Sequence, residues 1–397
     1  MLIVQIHDTY PDLFATTDID IDQQYLKVTQ IADRFGIVDP TVEMMRMNYA
    51  NYLSGQNRNR EALTLYEAVM ERLNSLDNRS VLYRFYIMHL YVTYINHLSF
   101  LGQNDRAYTT IHRLESLMSQ WEDYDLSEAE KVANSSRLLA CKLRIRPLKK
   151  DTPQLINEAI QTYKLALSQS EESFDEFVCD EVYCDLPICI ASTMMDAIRD
   201  DIVLPNVKAF KTVLFCLSNV ITFARLHPES PTSKTYLGNA LHNLGFFFSN
   251  TLGDQLKARK HCHDALRVRE DIYSATRHPN DLYDVAQTLL LLGATYVNDR
   301  HSPLTGTELT DALGFADRCL AIYSELNTEH YLEQDTRYYE ALQLKGSILY
   351  YGGEESKASG LALLKQVWDW CQIHPENNYQ GVFLEVSGKI LQVEGWI

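Results

Sequence analysis

One helical pattern returns along this chain at a nearly constant interval, and it constrains the fold more than any other feature of the sequence. The pattern is an alanine followed by residues four and seven positions later, a spacing that places all three on one face of a helix. Consecutive copies lie 45 to 54 residues apart, which indicates an internal repeat because unrelated alanines would not hold such an interval. The copies begin at Ala62, Ala107, Ala159, Ala209, Ala258, Ala312 and Ala358.

Each copy follows another segment of helical character. In four copies a small or apolar residue lies 12 or 13 positions before the leading alanine: Ala50, Ile95, Gly245 and Gly346. Short polar segments such as 54–59 and 100–105 separate the two helical runs. His-Pro dipeptides at 227, 278 and 374 follow the second run, where proline ends a helix. Each repeat is therefore predicted to be two antiparallel helices joined by a turn.

Two antiparallel helices cannot bury an apolar face by themselves, so we expect the repeats to stack on one another. Glycine and proline together account for only 27 of 397 residues, which also favours helices. We predict an all-α fold, an α-solenoid of about seven antiparallel helix pairs in one superhelix. Residues 1–40 would form a leading segment with a helix at 22–35, residues 41–377 the seven repeats, and residues 378–397 a closing helix at 379–393. A single compact helical globule is the alternative.

The repeat resembles the tetratricopeptide repeat (TPR), whose first helix carries a small residue and whose second helix carries Ala, a large residue and Ala. The interval here exceeds the usual 34 residues. In this respect the chain is similar to kinesin light chains and to the sensor arrays of bacterial signalling proteins. The likeness is strongest over 239–296, in the segments HNLG, ALRVRE and HPND. In the last copy, Lys365 departs from the small residue of the pattern.

The resemblance implies a non-catalytic scaffold or adaptor that binds a protein or an extended peptide in a concave groove, in bacterial signalling or defence. A second function that it implies is a regulator whose superhelix changes conformation when a peptide or partner binds. Polar residues of the first helices line the family's groove, and asparagine suits this role because its amide both donates and accepts. The matching positions are Asn48, Asn51, His89, Asn96, Asn239, His242 and Asn243.

These groove positions have an alternative interpretation, since each could be an ordinary polar residue on a solvated helix face. Asn243 matches the kinesin light-chain pattern best, whereas its counterpart in the sixth repeat is Leu291. Two charge clusters also allow two interpretations: five basic residues fall within 142–150 and seven acidic residues within 171–185. We expect these clusters to complement helix ends and adjacent repeats. A docking patch for a charged partner is the other possibility.

No motif for nucleotide binding, serine hydrolysis or zinc peptidase chemistry occurs in the sequence. Cys179, Cys184 and Cys189 are five residues apart, so on a helix their thiols diverge and do not form a zinc site. In the run 260–263, Cys262 lies on the core face and the two histidines point elsewhere. We therefore expect no catalytic residues, no metal site, no cofactor and no enzyme activity. A Cys/His pair distant in sequence stays open as a nucleophilic site.

Charge and hydropathy bear on partners and location. The net charge of −17 leaves no basic surface for phosphates, so we expect no nucleic acid partner. No run approaches 18 consecutive apolar residues, so we expect no membrane span and no membrane partner. The first residues lack the basic and apolar character of a signal peptide, and eight cysteines are too few for a disulfide scaffold. A cytoplasmic location is the prediction.

Overall fold

The computed structural model of this protein describes residues 21–34, 40–55, 58–74, 81–121, 126–145, 151–169, 179–298, 303–327, 334–374 and 380–397. All regular secondary structure within these ranges is helical, which confirms the predicted all-α class. Two π-helical turns occur, one before α8 (Glu181–Asp185) and one after α10 (Phe247–Thr251). The helices of the described ranges are α1 (Ile21–Arg34), α2 (Pro40–Gly55), α3 (Asn59–Asn74), α4 (Val81–Phe100), α5 (Asn104–Trp121), α6 (Glu128–Arg144), α7 (Thr152–Leu167), α8 (Leu186–Arg199), α9 (Val207–Leu226), α10 (Pro231–Phe246), α11 (Gln255–Thr276), α12 (Pro279–Val297), α13 (Gly306–Asn327), α14 (Gln334–Tyr351), α15 (Glu354–Ile373) and α16 (Gln380–Val393).

The order of these helices follows the predicted pairs. From α2 to α15 they alternate between a first helix, with an even number, and a second helix, with an odd number. The helices predicted at 22–35 and 379–393 correspond to α1 and α16. The His-Pro dipeptides also lie at helix boundaries: α9 ends just before His227, and Pro279 is the first residue of α12. The local sequence signals therefore locate the helices correctly.

The chain divides into two compact units, residues 1–236 and 237–397. Within each unit, the helices in extensive contact are neighbours or next neighbours in chain order. In the first unit, the first helices α2, α4, α6 and α8 contact one another in turn, and the second helices α3, α5 and α7 each pack against the first helices on either side. In the second unit, α12, α14 and α16 follow the same pattern. Such sequential packing makes the stability of each unit a sum of local contributions.

The repeated residues form the contact surfaces between these helices. In six of the seven copies the alanine and the residues four and seven positions later are at most 4% exposed, including the fourth copy at Ala209. Small residues on the first helices allow the backbones to approach closely. A Cβ atom added at Gly245 of α10, for example, would lie 2.4 Å from Sγ of Cys262 in α11. The pattern that defines the repeat is thus the pattern of the core.

The seventh copy was predicted in the wrong register. Ala358 is exposed, whereas Gly360, Leu364 and Val367 are buried with the same spacing, two residues further along. The reason is steric, because a Cβ atom at Gly360 would lie only 2.6 Å from the backbone nitrogen of Tyr350 in α14. Glycine takes the place that alanine occupies in the other copies, and the sequence pattern was anchored on alanine.

Among the described residues, α9 is the one helix whose length and apolar content would allow it to cross a bilayer. Its most apolar stretch of 18 residues is 39% buried inside the protein. The buried face includes Val213, Leu217 and Val220, and α9 packs against α8. Apolar core helices share this composition, so length and hydropathy alone do not assign α9 to a membrane.

Replacing Gly360 with alanine should lower the free energy of unfolding by about 1–3 kcal/mol, because the added methyl would overlap the backbone of α14. Gly314 in α13 is the matched control, since nothing lies within 4 Å of the position that its Cβ would take. Alanine at Gly314 should raise stability by up to about 1 kcal/mol through helix propensity. Chemical denaturation followed by circular dichroism measures both values. Effects of the same sign would contradict the close approach of α14 and α15.

Candidate functional site

The first helices of the second unit line a groove of about 450 Å³. Its walls come from α10 with its π-turn, from α12 and from α14, and Val386 of α16 also contributes. Each of these three helices contains a glycine beside residues that line the groove: Gly245, Gly293 and Gly346. The residues three positions before and one position after that glycine line the groove in every case: His242 and Phe246, Leu290 and Ala294, Gln343 and Ser347. The groove is therefore a product of the repeat.

Four amide side chains line this groove, those of Asn250, Gln287, Asn298 and Gln343. Asn298 donates from Nδ2 to Oδ1 of Asn250 at 3.3 Å, and Gln343 donates from Nε2 to Oγ of Ser387 at 2.8 Å. Gln287, by contrast, forms no hydrogen bond with any residue that the structure describes. The groove thus contains some amides that are held in place and one that is available to a ligand.

The groove is almost neutral in an acidic protein. Its one cation, Arg337, donates to Glu340 at 2.6 Å, so these two charges offset each other. Enclosure by the protein holds the pKa of His242 well below its ordinary value, and the charges of Arg269 and Arg337 lower it further. His242 is therefore uncharged at neutral pH. The remaining walls are apolar, and they include Phe246, Leu290, Leu291, Leu344 and Val297.

A buried arginine links α10, α11 and α12. Arg269 is 5% exposed and donates to Oδ1 of Asn239 at 2.7 Å. Its guanidinium also donates to Oγ1 of Thr288 at 2.7 Å and to the carbonyl oxygen of Asp284 at 2.8 Å. Thr288 in turn lies 3.4 Å from Nδ1 of His242. A buried charge is stable only when hydrogen bonds replace its hydration, so these contacts hold the first helices in register.

The three groove positions predicted in the fifth repeat have different surroundings. His242 lines the groove. Asn239 is not among the residues that line the groove, and its side chain accepts a hydrogen bond from Arg269. Asn243 is half-buried and forms no hydrogen bond with a described residue. Leu291, the sixth-repeat counterpart that departed from the family pattern, lies in the groove wall as an apolar residue.

The four predicted positions of the first unit do not converge on one cavity. Asn51 is exposed and accepts a hydrogen bond from the hydroxyl of Tyr66 on the paired helix. Asn96 accepts one from Arg144. Asn48 is half-buried and forms no hydrogen bond with a described residue. His89 stacks on Phe85 with ring centroids 6.5 Å apart, and its enclosure lowers its pKa to about 4, with the charge of Arg137 as a second cause.

Ionic bridges join consecutive first helices of the first unit. Arg144 of α6 pairs with Asp185, in the π-turn before α8, at 2.5 Å, while it also binds Asn96 of α4. Arg137 of α6 pairs with Glu181 of the same π-turn. Of the two charge clusters of the sequence, Arg144 and Asp185 pair with each other, whereas Asp180 accepts from the hydroxyls of Ser230 and Ser233. Lys142 likewise pairs with Glu115 at 2.6 Å.

A second cavity of about 430 Å³ lies in the first unit between α3, α4 and α5. Its walls are strongly charged, with Glu67, Glu71 and Arg113 among them. Glu67 already accepts hydrogen bonds from Arg106 and from the hydroxyl of Tyr94. The groove of the second unit is the better candidate because it is continuous across successive helices and has available polar atoms.

The described residues offer little nucleophilic or metal-binding chemistry. No three His, Cys, Asp or Glu side chains among them are grouped so that they could hold a metal ion. Burial raises the pKa of Cys141, Cys216 and Cys262 to about 12, so these thiols stay protonated at neutral pH and are poor nucleophiles. Cys262 is fully buried as a core residue, and the adjacent His261 stacks on Phe248 with ring centroids 5.3 Å apart.

Sequence reasoning concentrated on asparagine and therefore missed most of the groove. Phe246, Gln287, Leu290 and Arg337 were not singled out, although they line it. A positional signal was present, because residues three before and one after the first-helix glycine recur on one helical face. The type of residue at these positions varies from repeat to repeat, so a search by residue type does not find them.

Comparison with known proteins identifies no family for this chain. No family model matches the chain, and no curated protein matches its sequence significantly. The TPR resemblance therefore stays a prediction from the residues that carry it, and the function is inferred from the groove.

Asn239→Ala should lower the free energy of unfolding by about 1–3 kcal/mol, because it leaves the buried guanidinium of Arg269 without one of its acceptors. Asn243→Ala is the matched control on the same helix and should change stability by less than about 0.5 kcal/mol. Urea denaturation of the two variants measures the difference. Equal losses would show that the hydrogen bond between Asn239 and Arg269 does not contribute to stability.

Stability should fall as the pH drops from about 6.5 to about 4, in part because of His89. In the folded protein its pKa is lowered to about 4, whereas the unfolded chain takes up this proton near pH 6.5. The unfolded state therefore binds more protons in this window and is favoured there. Between these pH values, the free energy of unfolding of the His89→Gln variant should fall by on the order of 1–3 kcal/mol less than that of the unchanged protein. Denaturation at pH 7 and near pH 4 tests it, and an identical pH dependence in both proteins would contradict the buried, neutral histidine.

Proposed function

We propose that this protein is a non-catalytic scaffold that binds an extended segment of a partner protein in the groove of its second unit. The proposal includes the finer fold: a TPR-like α-solenoid of about seven antiparallel helix pairs. The observation that carries it is the repeated lining of the groove, in which three successive first helices contribute equivalent positions. Stacked helix pairs characteristically use such surfaces to bind extended ligands.

The chemistry of the groove favours an uncharged peptide segment. An extended chain presents N–H and C=O groups in alternation, and amides such as Gln287 and Asn250 can pair with both. Apolar side chains of the ligand would pack against Phe246, Leu290 and Leu344. Because Arg337 and Glu340 neutralise each other, the groove offers no net charge to attract a carboxylate or an ammonium group.

The number of helices sets the length of the bound segment. Helices α10, α12, α14 and α16 follow one another along the groove, and packed helices lie about 8–10 Å apart. The groove would then span roughly 25–30 Å, which an extended chain covers in about eight residues at about 3.3 Å each. Burying such a segment across several repeats would provide affinity, while the amides would set its register.

A non-catalytic role is supported by the state of the reactive side chains. The thiols with strongly raised pKa are core residues, and the titratable groups of the groove are either paired with each other or, in His242, uncharged. A cytoplasmic location and a place in bacterial signalling or defence rest on the sequence and its TPR resemblance alone.

Selection of random peptides of about 12 residues by the full-length protein tests this function. Gln287→Trp should fill the groove, because Gln287 lines it and is half-buried. The affinity for the selected peptides should therefore fall by about tenfold or more. Gln366→Trp on the exposed side of α15 is the matched control and should leave affinity within about twofold. Fluorescence anisotropy measures both. If no selected peptide is sensitive to Gln287→Trp, the groove is not the binding site.

Solution scattering with a selected peptide separates the scaffold from the alternative regulator. A scaffold binds in a preformed groove, so its radius of gyration should be unchanged on binding. A regulator that re-packs its helices should change its dimensions measurably, since a small rotation at each repeat adds up along a stack. A clear change in the radius of gyration on peptide binding would contradict the scaffold and support the regulator.

A further inference from the structure

The exposed side of α9 differs in composition from the rest of this acidic protein. The chain has a net charge of −17, yet α9 contains three basic residues and no Asp or Glu. These basic residues share one helical face with exposed apolar residues. We call this the basic–apolar face, and it comprises Val207, Lys208, Lys211, Phe215, Arg225 and Leu226.

The apolar members of this face are largely exposed. Val207 is 67% and Leu226 is 68% exposed, although they stand at opposite ends of a 20-residue helix. Phe215, near the middle, is 41% exposed. Leu204, in the loop that leads into α9, is 76% exposed. Leaving this much aliphatic surface in water is unfavourable, which suggests that another surface covers it.

The cations of the face lack acidic partners within the described residues. Lys208, Lys211 and Arg225 are exposed and form no ion pair with any residue of the described ranges. Of the two acids just before α9, Asp200 pairs with Arg199 at 2.9 Å, and Asp201 forms no ion pair with a described residue. The positive charge of the face is therefore available to a partner.

The neighbouring second helix extends the same surface. The ring of Phe215 lies with its centroid 6.0 Å from that of Tyr163 on α7. Next to Tyr163, Lys164 is exposed and Leu165 is 48% exposed. Lys164 likewise forms no ion pair within the described part of the chain. Basic and aliphatic side chains thus occur together on two adjacent helices.

The opposite side of α9 is fixed to the protein. Ala209, Val213 and Cys216 are buried there, and α9 packs against α8. The helix start is also held, because Asn206 caps it by accepting from the backbone nitrogen of Ala209 at 3.0 Å. Only the basic–apolar face can therefore contact a partner, and α9 cannot leave the core to cross a bilayer without breaking the packing of the repeat.

We propose that the basic–apolar face binds the surface of a membrane that contains anionic lipids. Lysine and arginine would reach the lipid headgroups, while Val207, Phe215 and Leu226 would enter the boundary between headgroups and acyl chains. The apolar residues are distributed along the whole helix instead of forming one patch, which suits a planar layer better than the pocket of a protein. A second copy of the chain would place like charges opposite one another.

This surface is independent of the proposed peptide groove, since it uses second helices of the first unit. The sequence-based expectation of no membrane partner depended on the lack of a long apolar run. Peripheral binding does not need such a run, because the helix lies in the plane of the membrane surface.

Sedimentation of the full-length protein with vesicles tests the proposal. We expect binding to vesicles of phosphatidylcholine with one quarter phosphatidylserine, at least about tenfold tighter than to pure phosphatidylcholine, and weaker at high salt. The triple variant Lys208→Gln, Lys211→Gln and Arg225→Gln should bind about a hundredfold more weakly. The double variant Val207→Ser and Leu226→Ser should lose about tenfold, since fewer methyl groups enter the membrane.

A matched control removes the same charge elsewhere. Arg60→Gln, Arg113→Gln and Lys260→Gln change three exposed cations outside this face and should bind within about twofold of the unchanged protein. Unaltered circular dichroism melts show that the variants are folded. Failure of the unchanged protein to bind anionic vesicles would overturn the proposal. So would an equal loss in the control, or full binding by the Val207→Ser and Leu226→Ser variant, which would indicate a purely ionic partner.

Discussion

Close contact between small residues of each second helix and the helices beside it is the interaction on which the rest of this structure depends. A pair of helices has too little apolar surface to fold alone, and the buried alanines allow each pair to pack tightly against the next. Because the contact recurs with every repeat, the first helices of a unit follow one another in contact. Equivalent positions on successive first helices then fall on one surface. The groove of the second unit is a consequence of this packing.

Equivalent positions on the first helices have different surroundings in the two units. In the second unit, the positions three before and one after the first-helix glycine carry three apolar residues, a histidine, a glutamine and a serine, and the surface stays open as a groove. In the first unit, Asn96 at the equivalent position is bound by Arg144, which also reaches Asp185. Such bridges compensate the desolvation of each charge and hold the helices in place. Residue type decides whether the surface stays open or is closed by contacts among its own side chains.

The two proposed surfaces use different parts of the repeat. The groove is formed by first helices around His242, Leu290 and Gln343, whereas the basic–apolar face belongs to second helices and contains Lys208, Lys211 and Arg225. Their chemistry is also distinct, because the groove is nearly neutral and the face is cationic. A peptide and a lipid surface would therefore not compete for the same side chains.

The sequence by itself determined the helices and most of the core, since helical periodicity, alanine spacing and His-Pro stops are local signals. It located α1 and α16 within about one residue and predicted the buried face of six second helices. It did not find Gly360 in the seventh copy, because the close approach to α14 is visible only in three dimensions. It also assigned Asn239 to the groove, although Arg269, 30 residues later, engages that side chain. Which side chains meet across successive helices depends on long-range packing, and only the tertiary structure decided that.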